Sequence, residues 1–524
     1  MLPYYRCIGF ACINTIKLQI KLQCFSCMPS FPICALRQFD SAFHLQRSAL
    51  CYLLPVRVVI IVIRSYAGLH CEIIEGYSKG AGYLPGSHLK GSQFRNQWTA
   101  VWVEGSWRFI NCNWGARHVK RPGDDRSMTY HVDEFYFLTD PEEHIFQHFP
   151  DDERWQLLRR PLTMEDFVHL ALVKSPFFNH HLEFAAATES VVRAVDGHVD
   201  IRLITPSLLG FAAKLRPAKD DINISLDDRC LVRSIGNMVV VSVALPKPDR
   251  YYLDVYVGDD WSSSSMDSAC SFRVHCRSVM PSVATVSYPP GICFGATPDC
   301  ARCGISEDTR HDPVVVADGT HLSLRLRTPS RSEADVRLTH TMRYWKQGTL
   351  MDCDRYALLQ KRDSAGAAKW IVRCPKTGFY AVSITASLGD EPARCVYRYL
   401  VDCRRPCAEA RPMPRATTRW NGCRLVEPLD GELAPRSKVR FRIESPGAAE
   451  LLANVSGGSW TSLERSGDVW EALVETGDVG DEGRGRLQIY GRFDATSDKY
   501  VPLLDYVIRE PSVTDEVRTM LKYM

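Results

Sequence analysis

His198-Val-Asp-Ile-Arg-Leu-Ile-Thr-Pro206 recurs as His321-Leu-Ser-Leu-Arg-Leu-Arg-Thr-Pro329 and, in pattern, as Lys438-Val-Arg-Phe-Arg-Ile-Glu-Ser-Pro446. Each copy alternates apolar and polar residues and closes on a proline, the pattern of a half-buried strand that stops where the backbone loses its donor. The closing prolines stand 123 and 117 residues apart (329 − 206 and 446 − 329). That period is too long for a solenoid unit and suits one small domain per repeat. The second halves agree: Pro246-Lys-Pro-Asp-Arg-Tyr251 corresponds to Pro375-Lys-Thr-Gly-Phe-Tyr380, and Gly258-Asp259 to Gly389-Asp390. The first two units then close on Cys276 and Cys403, which the more divergent third copy lacks. Short strands separated by turn signals predict three β-sandwiches of the immunoglobulin class, over 186–280, 314–404 and 427–510. Residues 281–313 and the Arg- and Pro-rich 405–426 read as linkers, the stretch from Arg404 to Arg419 as a flexible spacer, and 511–524 as a tail.

The totals fit such an assembly. A chain of 524 residues divides into several cores, and 45% hydrophobic with 24% charged residues is ordinary globular composition. A net charge of +3 gives no basic surface for nucleic acid. The longest apolar run, Leu53 to Ile63, is interrupted by Arg57 and falls far short of the ~20 residues of a membrane span. No basic-then-apolar leader opens the chain, and of its 20 cysteines those beyond residue 52 are scattered singly, so buried thiols in a reducing cytoplasm are expected.

Residues 1–64 differ in texture. They hold one acidic residue, Asp40, against seven Lys or Arg, and six of the cysteines. They read either as a poorly ordered basic extension or as sequence foreign to the folded protein, such as a mis-predicted exon. From Ser65 the pattern becomes regular. Cys71-Glu-Ile-Ile-Glu-Gly-Tyr77 reads as a strand, and Gln97-Trp-Thr-Ala-Val-Trp-Val103 turns at Glu104-Gly105 into Ser106-Trp-Arg-Phe-Ile-Asn111. Glu134-Phe-Tyr-Phe-Leu138 reads as another strand and Asp140-Pro141 as a helix start. Thr163 caps a run of helical spacing that continues to Val173.

Ser65-Tyr-Ala-Gly-Leu-His-Cys-Glu-Ile-Ile-Glu-Gly-Tyr-Ser-Lys-Gly80, Phe94-Arg-Asn-Gln-Trp-Thr-Ala-Val101, Asn113-Trp-Gly-Ala-Arg-His118 and Glu134-Phe-Tyr-Phe-Leu-Thr-Asp-Pro141 resemble the transglutaminase-like family, in its hillarin and kyphoscoliosis-peptidase branch. The resemblance implies an α+β domain of the papain-like cysteine-protease type over 65–185, truncated at its N-terminal side, ahead of the three repeats. It also implies a cytoplasmic, cytoskeleton-associated protein with septin, actin-associated or filamin-like partners.

An active member of that family carries a cysteine nucleophile, a histidine that takes the thiol proton and an aspartate that orients the imidazole. The histidine stands two residues before the tryptophan that here is Trp98, and that position is Asn96. The aspartate stands three residues before Trp114, and that position is Asn111. A carboxamide has no nitrogen that titrates near neutrality, so Asn96 cannot accept a proton and Asn111 adds no negative charge. The nucleophile motif is also missing near position 53. Cys51 is the nearest substitute, and its flank Leu-Leu-Pro55 breaks a helix. The chain therefore reads as a degenerate triad in a non-catalytic scaffold. The competing reading is a residual peptidase using Cys51, Cys71 or Cys112.

Trp98, Trp102, Trp114, Arg117 and His118 are the candidate binding residues, with core filling as the plainer role for the tryptophans. His180-His181 reads as a surface pair. Cys300-Ala-Arg-Cys303 with Cys293 has the spacing of half a zinc site and lacks a second pair, so no metal and no cofactor is expected.

Overall fold

The computed structural model describes residues 69–510 apart from 90, 120–127, 131, 220–223, 260–265, 308–311, 329–335, 347, 361–366, 409, 421, 457, 459, 480–483 and 495. The N-terminal segment 1–64, Cys51 and the tail 511–524 lie outside the described residues.

The N-terminal layer is one antiparallel sheet, with strands in the order Phe137–Thr139, Ser106–Ile110, Arg95–Val103, Cys71–Ser78, His148–Pro150. Its hairpin turns at Glu104 and Gly105, both at positive φ, as a two-residue connection between right-twisted strands requires. Asp140 caps the short helix Pro141–His144 from its side chain, with proline at the first helical position. Period-two alternation splits the sheet into two faces. Ile74, Trp98, Ala100 and Phe109 form one cluster, whereas Cys71, Val101 and Ile110 with Cys112 form another. Gly76 sits where the sheet is tightest, because a Cβ there would lie 2.1 Å from the Phe149 carbonyl oxygen and 2.7 Å from the Trp98 ring. Gly76→Ala should cost about 3 kcal/mol by overpacking, read as a lowered urea midpoint of the tryptophan fluorescence transition.

Three two-sheet sandwiches follow, each with its own buried core. The recurring motif takes the same place in all three. His198–Ile204, Leu322–Arg327 and Lys438–Glu444 pair antiparallel with Met238–Ala244, Ala367–Val372 and Val469–Glu475 respectively. A second recurrence sits in the opposite sheet, where Arg250–Gly258, Gly378–Leu388 and Arg484–Arg492 pair with Asp267–Cys276, Arg394–Arg405 and Val501–Arg509.

Several expectations change once the chain is packed. Thr163 forms a capping box with Asp166, but the helix stops at His169. Leu172–Val173 is instead a strand paired with Cys270 and Ser271, because Ala171 and Val173 complete the first sandwich core. That core thus reaches back before residue 186. The stretch 281–313 is not a free linker: Cys293–Ala296 is a strand, and Cys300, Cys303 and Ile305 are buried in the second core. Nor is Arg404 to Arg419 a flexible spacer. Met413 and Trp420 are buried in the third core, and the Trp420 indole donates to the Leu359 carbonyl at 2.7 Å.

Candidate functional site

Asn96 and Asn111 lie on the same face of the N-terminal sheet as Trp98, since alternation puts residues 96, 98 and 100 on one side and Asn111 emerges beside Phe109. Asn96 Nδ2 donates to Ser78 Oγ at 3.0 Å, and its Oδ1 accepts from the Gln97 amide at 2.8 Å. Asn111 is fully engaged as well. Its Oδ1 accepts from the Trp114 amide at 3.2 Å, which leaves Nδ2 to donate to His148 Nε2 at 2.9 Å.

His148 reaches this place because the strand His148–Pro150 pairs with Cys71–Ser78, opposite Ser78. It is 1% exposed. The ring stacks on His144 at 4.0 Å, and the rings of Trp114 and Trp98 stand 4.5 and 5.1 Å away. His144 in turn stacks on Phe109 at 4.5 Å. Burial holds the His148 pKa down at about 3, and burial together with the neighbouring His148 keeps His144 well below its ordinary 6.5. Both imidazoles are therefore neutral, and Asn111 occupies the acceptor nitrogen of His148. A sealed, neutral imidazole held by a carboxamide cannot withdraw a proton from an incoming thiol.

The nearest thiols face the other way. Cys71 and Cys112 belong to the cluster with Val101 and Ile110, across the sheet from His148. Elsewhere burial pushes thiol pKa values up, as at Cys270 and at Cys293, which rises to about 12. The protonated form of such thiols is unreactive. Cys293 lies in the first sandwich core and Cys300 and Cys303 in the second, so their sequence spacing does not make one site. Among the described residues no group of three or more His, Cys, Asp or Glu is placed to hold a metal ion.

The candidate binding residues separate. Trp98 is 1% exposed and is core, because its strand position points between the two histidines. Trp114 is half-buried against Tyr136 and His148. Trp102 is 43% exposed and meets Trp107 edge to face at 5.5 Å, and Trp107 meets Trp155 at 5.1 Å. This places Trp102 alone of the three at the surface. Arg117 and His118 lie on the strand Arg117–Val119, and their side chains fall outside the described residues. His180 Nδ1 stands 3.5 Å from Asp259.

His144, His148 and Lys79 are not among the residues that the sequence singles out. The spacing of His144-Ile-Phe-Gln-His148 was the available signal for the pair. Lys79 sits inside the quoted Gly-Tyr-Ser-Lys-Gly run, yet it is 4% exposed. Its ammonium nitrogen donates to the Leu170 carbonyl at 2.9 Å and lies 4.4 Å from the centre of the Phe167 ring.

The family model for the KY-like, immunoglobulin-like domain matches residues 164–286 and 293–414. The chain is 36% identical over 293 residues to hillarin of Drosophila melanogaster, covering 50% of this chain and 35% of that protein. It is 31% identical over 327 residues to the Lim and transglutaminase domain protein ltd-1 of Caenorhabditis elegans, covering 56% and 44%. Kyphoscoliosis peptidase of Homo sapiens is 26% identical over 396 residues, covering 74% and 56%. The chain thus spans between about a third and just over half of the length of these curated relatives.

Proposed function

We propose that this chain, which belongs to the hillarin and kyphoscoliosis-peptidase branch of the transglutaminase-like family, is a non-catalytic scaffold that binds cytoskeletal proteins in the cytoplasm. On this reading residues 69–162 are a transglutaminase-like α+β layer whose catalytic face has been converted to core. The observation that carries the reading is the Asn111–His148 contact: a carboxamide stands at the anion's position, and the imidazole it holds is buried and neutral, while the histidine's own position is the carboxamide Asn96. Septin, actin-associated or filamin-like partners are expected from family resemblance, with the repeats and the exposed Trp102 as the contact surfaces.

Two measurements test it on the full chain. Purified protein incubated with a fluorescent primary amine and a glutamine-containing acceptor should show no incorporation above a heat-treated control. A peptidyl chloromethyl ketone should label Cys112 no faster than the other half-buried cysteines, Cys353, Cys395 and Cys407. Selective labelling of one cysteine, lost in His148→Ala, would favour the peptidase reading instead. For the partners, the chain should co-sediment with septin or actin filaments, and failure to pellet with either removes that half of the proposal.

A further inference from the structure

Alternation along the strands assigns a seam between the first two repeats. Val232 and Val243 point into the first core, and Val382 and Val401 into the second. Their neighbours Leu231, Ala244, Ala381 and Leu400 necessarily point to the opposite face, where they form one cluster with Tyr288 and Phe294. This cluster draws on both repeats and on the segment between them.

The same segment enters the plane of the sheet. Cys293–Ala296 pairs parallel with the first repeat, Val232 opposite Cys293 and Arg233 opposite Phe294. It then pairs antiparallel with the second, Gly295 opposite Arg398 and Ala296 opposite Tyr397. The result is a ten-stranded sheet running through both repeats. Gly295 makes the change of partner possible. Its φ is +114°, and a Cβ there would lie 2.4 Å from the Ser234 carbonyl oxygen.

Polar ties cross the same line. Asp228 of the first repeat accepts from Ser287 Oγ at 2.7 Å, and Ser287 Oγ accepts from the indole of Trp345 in the second repeat at 3.0 Å. Arg229 donates to the carbonyls of Ala284 and Val286 at 2.8 and 2.5 Å. Tyr288 packs at a tilt against Phe379 of the second repeat, ring centres 5.1 Å apart.

We infer that residues 164–414 are a single rigid body, two sandwiches zipped through the strand Cys293–Ala296 and strapped by residues 281–292, which presents surfaces of both repeats at a fixed spacing and unfolds in one step. Tandem modules on a flexible linker would instead swivel and melt independently. The inference does not depend on the scaffold reading.

Hydrogen exchange with mass spectrometry across a urea series, on the full chain, tests it. Peptides from Arg250–Gly258 and Gly378–Leu388 should lose protection at one common midpoint. Trp370→Leu, confined to the second core, should lower both midpoints by the same shift. If only the second repeat moves, the inference is overturned. Gly295→Val should part the two midpoints, and Phe294→Ala, which fills no new space, should do so more gently and stands in if Gly295→Val does not fold. Midpoints that stay together in a folded seam variant would equally overturn it.

Discussion

Acidification should unfold the N-terminal layer before the repeats, with stability lost between pH 6.5 and about 3. In the unfolded chain His144 and His148 take up protons near 6.5, whereas in the folded chain burial keeps both neutral far below that value. The unfolded state therefore binds more protons throughout this window, and stability falls as pH falls, being fully present only above 6.5. His148 alone, held to about 3, accounts for about 5 kcal/mol across the window. The measurement is the urea midpoint of tryptophan fluorescence at a series of pH values, since Trp98 and Trp114 flank the pair. His144→Phe keeps the stack on Phe109 and removes one titrating ring, so its curve should be shallower by close to one proton. An unchanged slope in that variant would mean that His144 is not a buried neutral base.

Lys79 should give a pH dependence of the same sign in a different window. Burial lowers its pKa from 10.5 to about 7. Between those values the unfolded chain keeps the proton and the folded chain releases it, so the contribution of Lys79 to stability increases as pH rises from 7 to 10.5. The full excursion is about 5 kcal/mol. Buried tyrosines and thiols oppose it at the alkaline end, because Tyr136 and Cys270 titrate later in the folded state than in the unfolded one. Comparison with Lys79→Met isolates the lysine. The variant leaves the Leu170 carbonyl without its donor, which costs about 1–3 kcal/mol. It also loses the ammonium contact with the Phe167 ring, worth about 1–2 kcal/mol. These losses nearly offset the relief of the burial penalty at pH 7, and between pH 7 and pH 10 the difference should shift against the variant by about 3–4 kcal/mol. A difference between the two proteins that does not change with pH would show that the ammonium stays solvated.

The seam carries a consequence for how the repeats can be used. With the first two held in one body, any gain from multivalent binding comes from matching a fixed distance rather than from searching with a flexible tether. The third repeat joins this body through Arg373, which donates to Asp430 at 2.7 Å, and through the buried Gln360 side chain, which accepts from the Leu425 amide at 2.9 Å.

Local chemistry determined what the sequence made legible. Period-two alternation, the Glu104-Gly105 turn, the Asp140 and Thr163 caps and the recurring proline-closed strand all follow from interactions within a few residues or from a repeat. The carboxamides at Asn96 and Asn111 were equally legible, because side-chain type alone settles whether a group can titrate. Other features depend on which strands lie side by side. The helix predicted to run to Val173 yielded to a sandwich core that needed Ala171 and Val173. His148 meets Asn111 from 37 residues away, and Lys79 meets Leu170 from 91. Cys293–Ala296 became a strand because two separate sheets each left an edge for it, a condition that no window of sequence contains. Burial, and with it every shifted pKa above, is a property of the packed chain, since desolvation is imposed by neighbours distant in sequence.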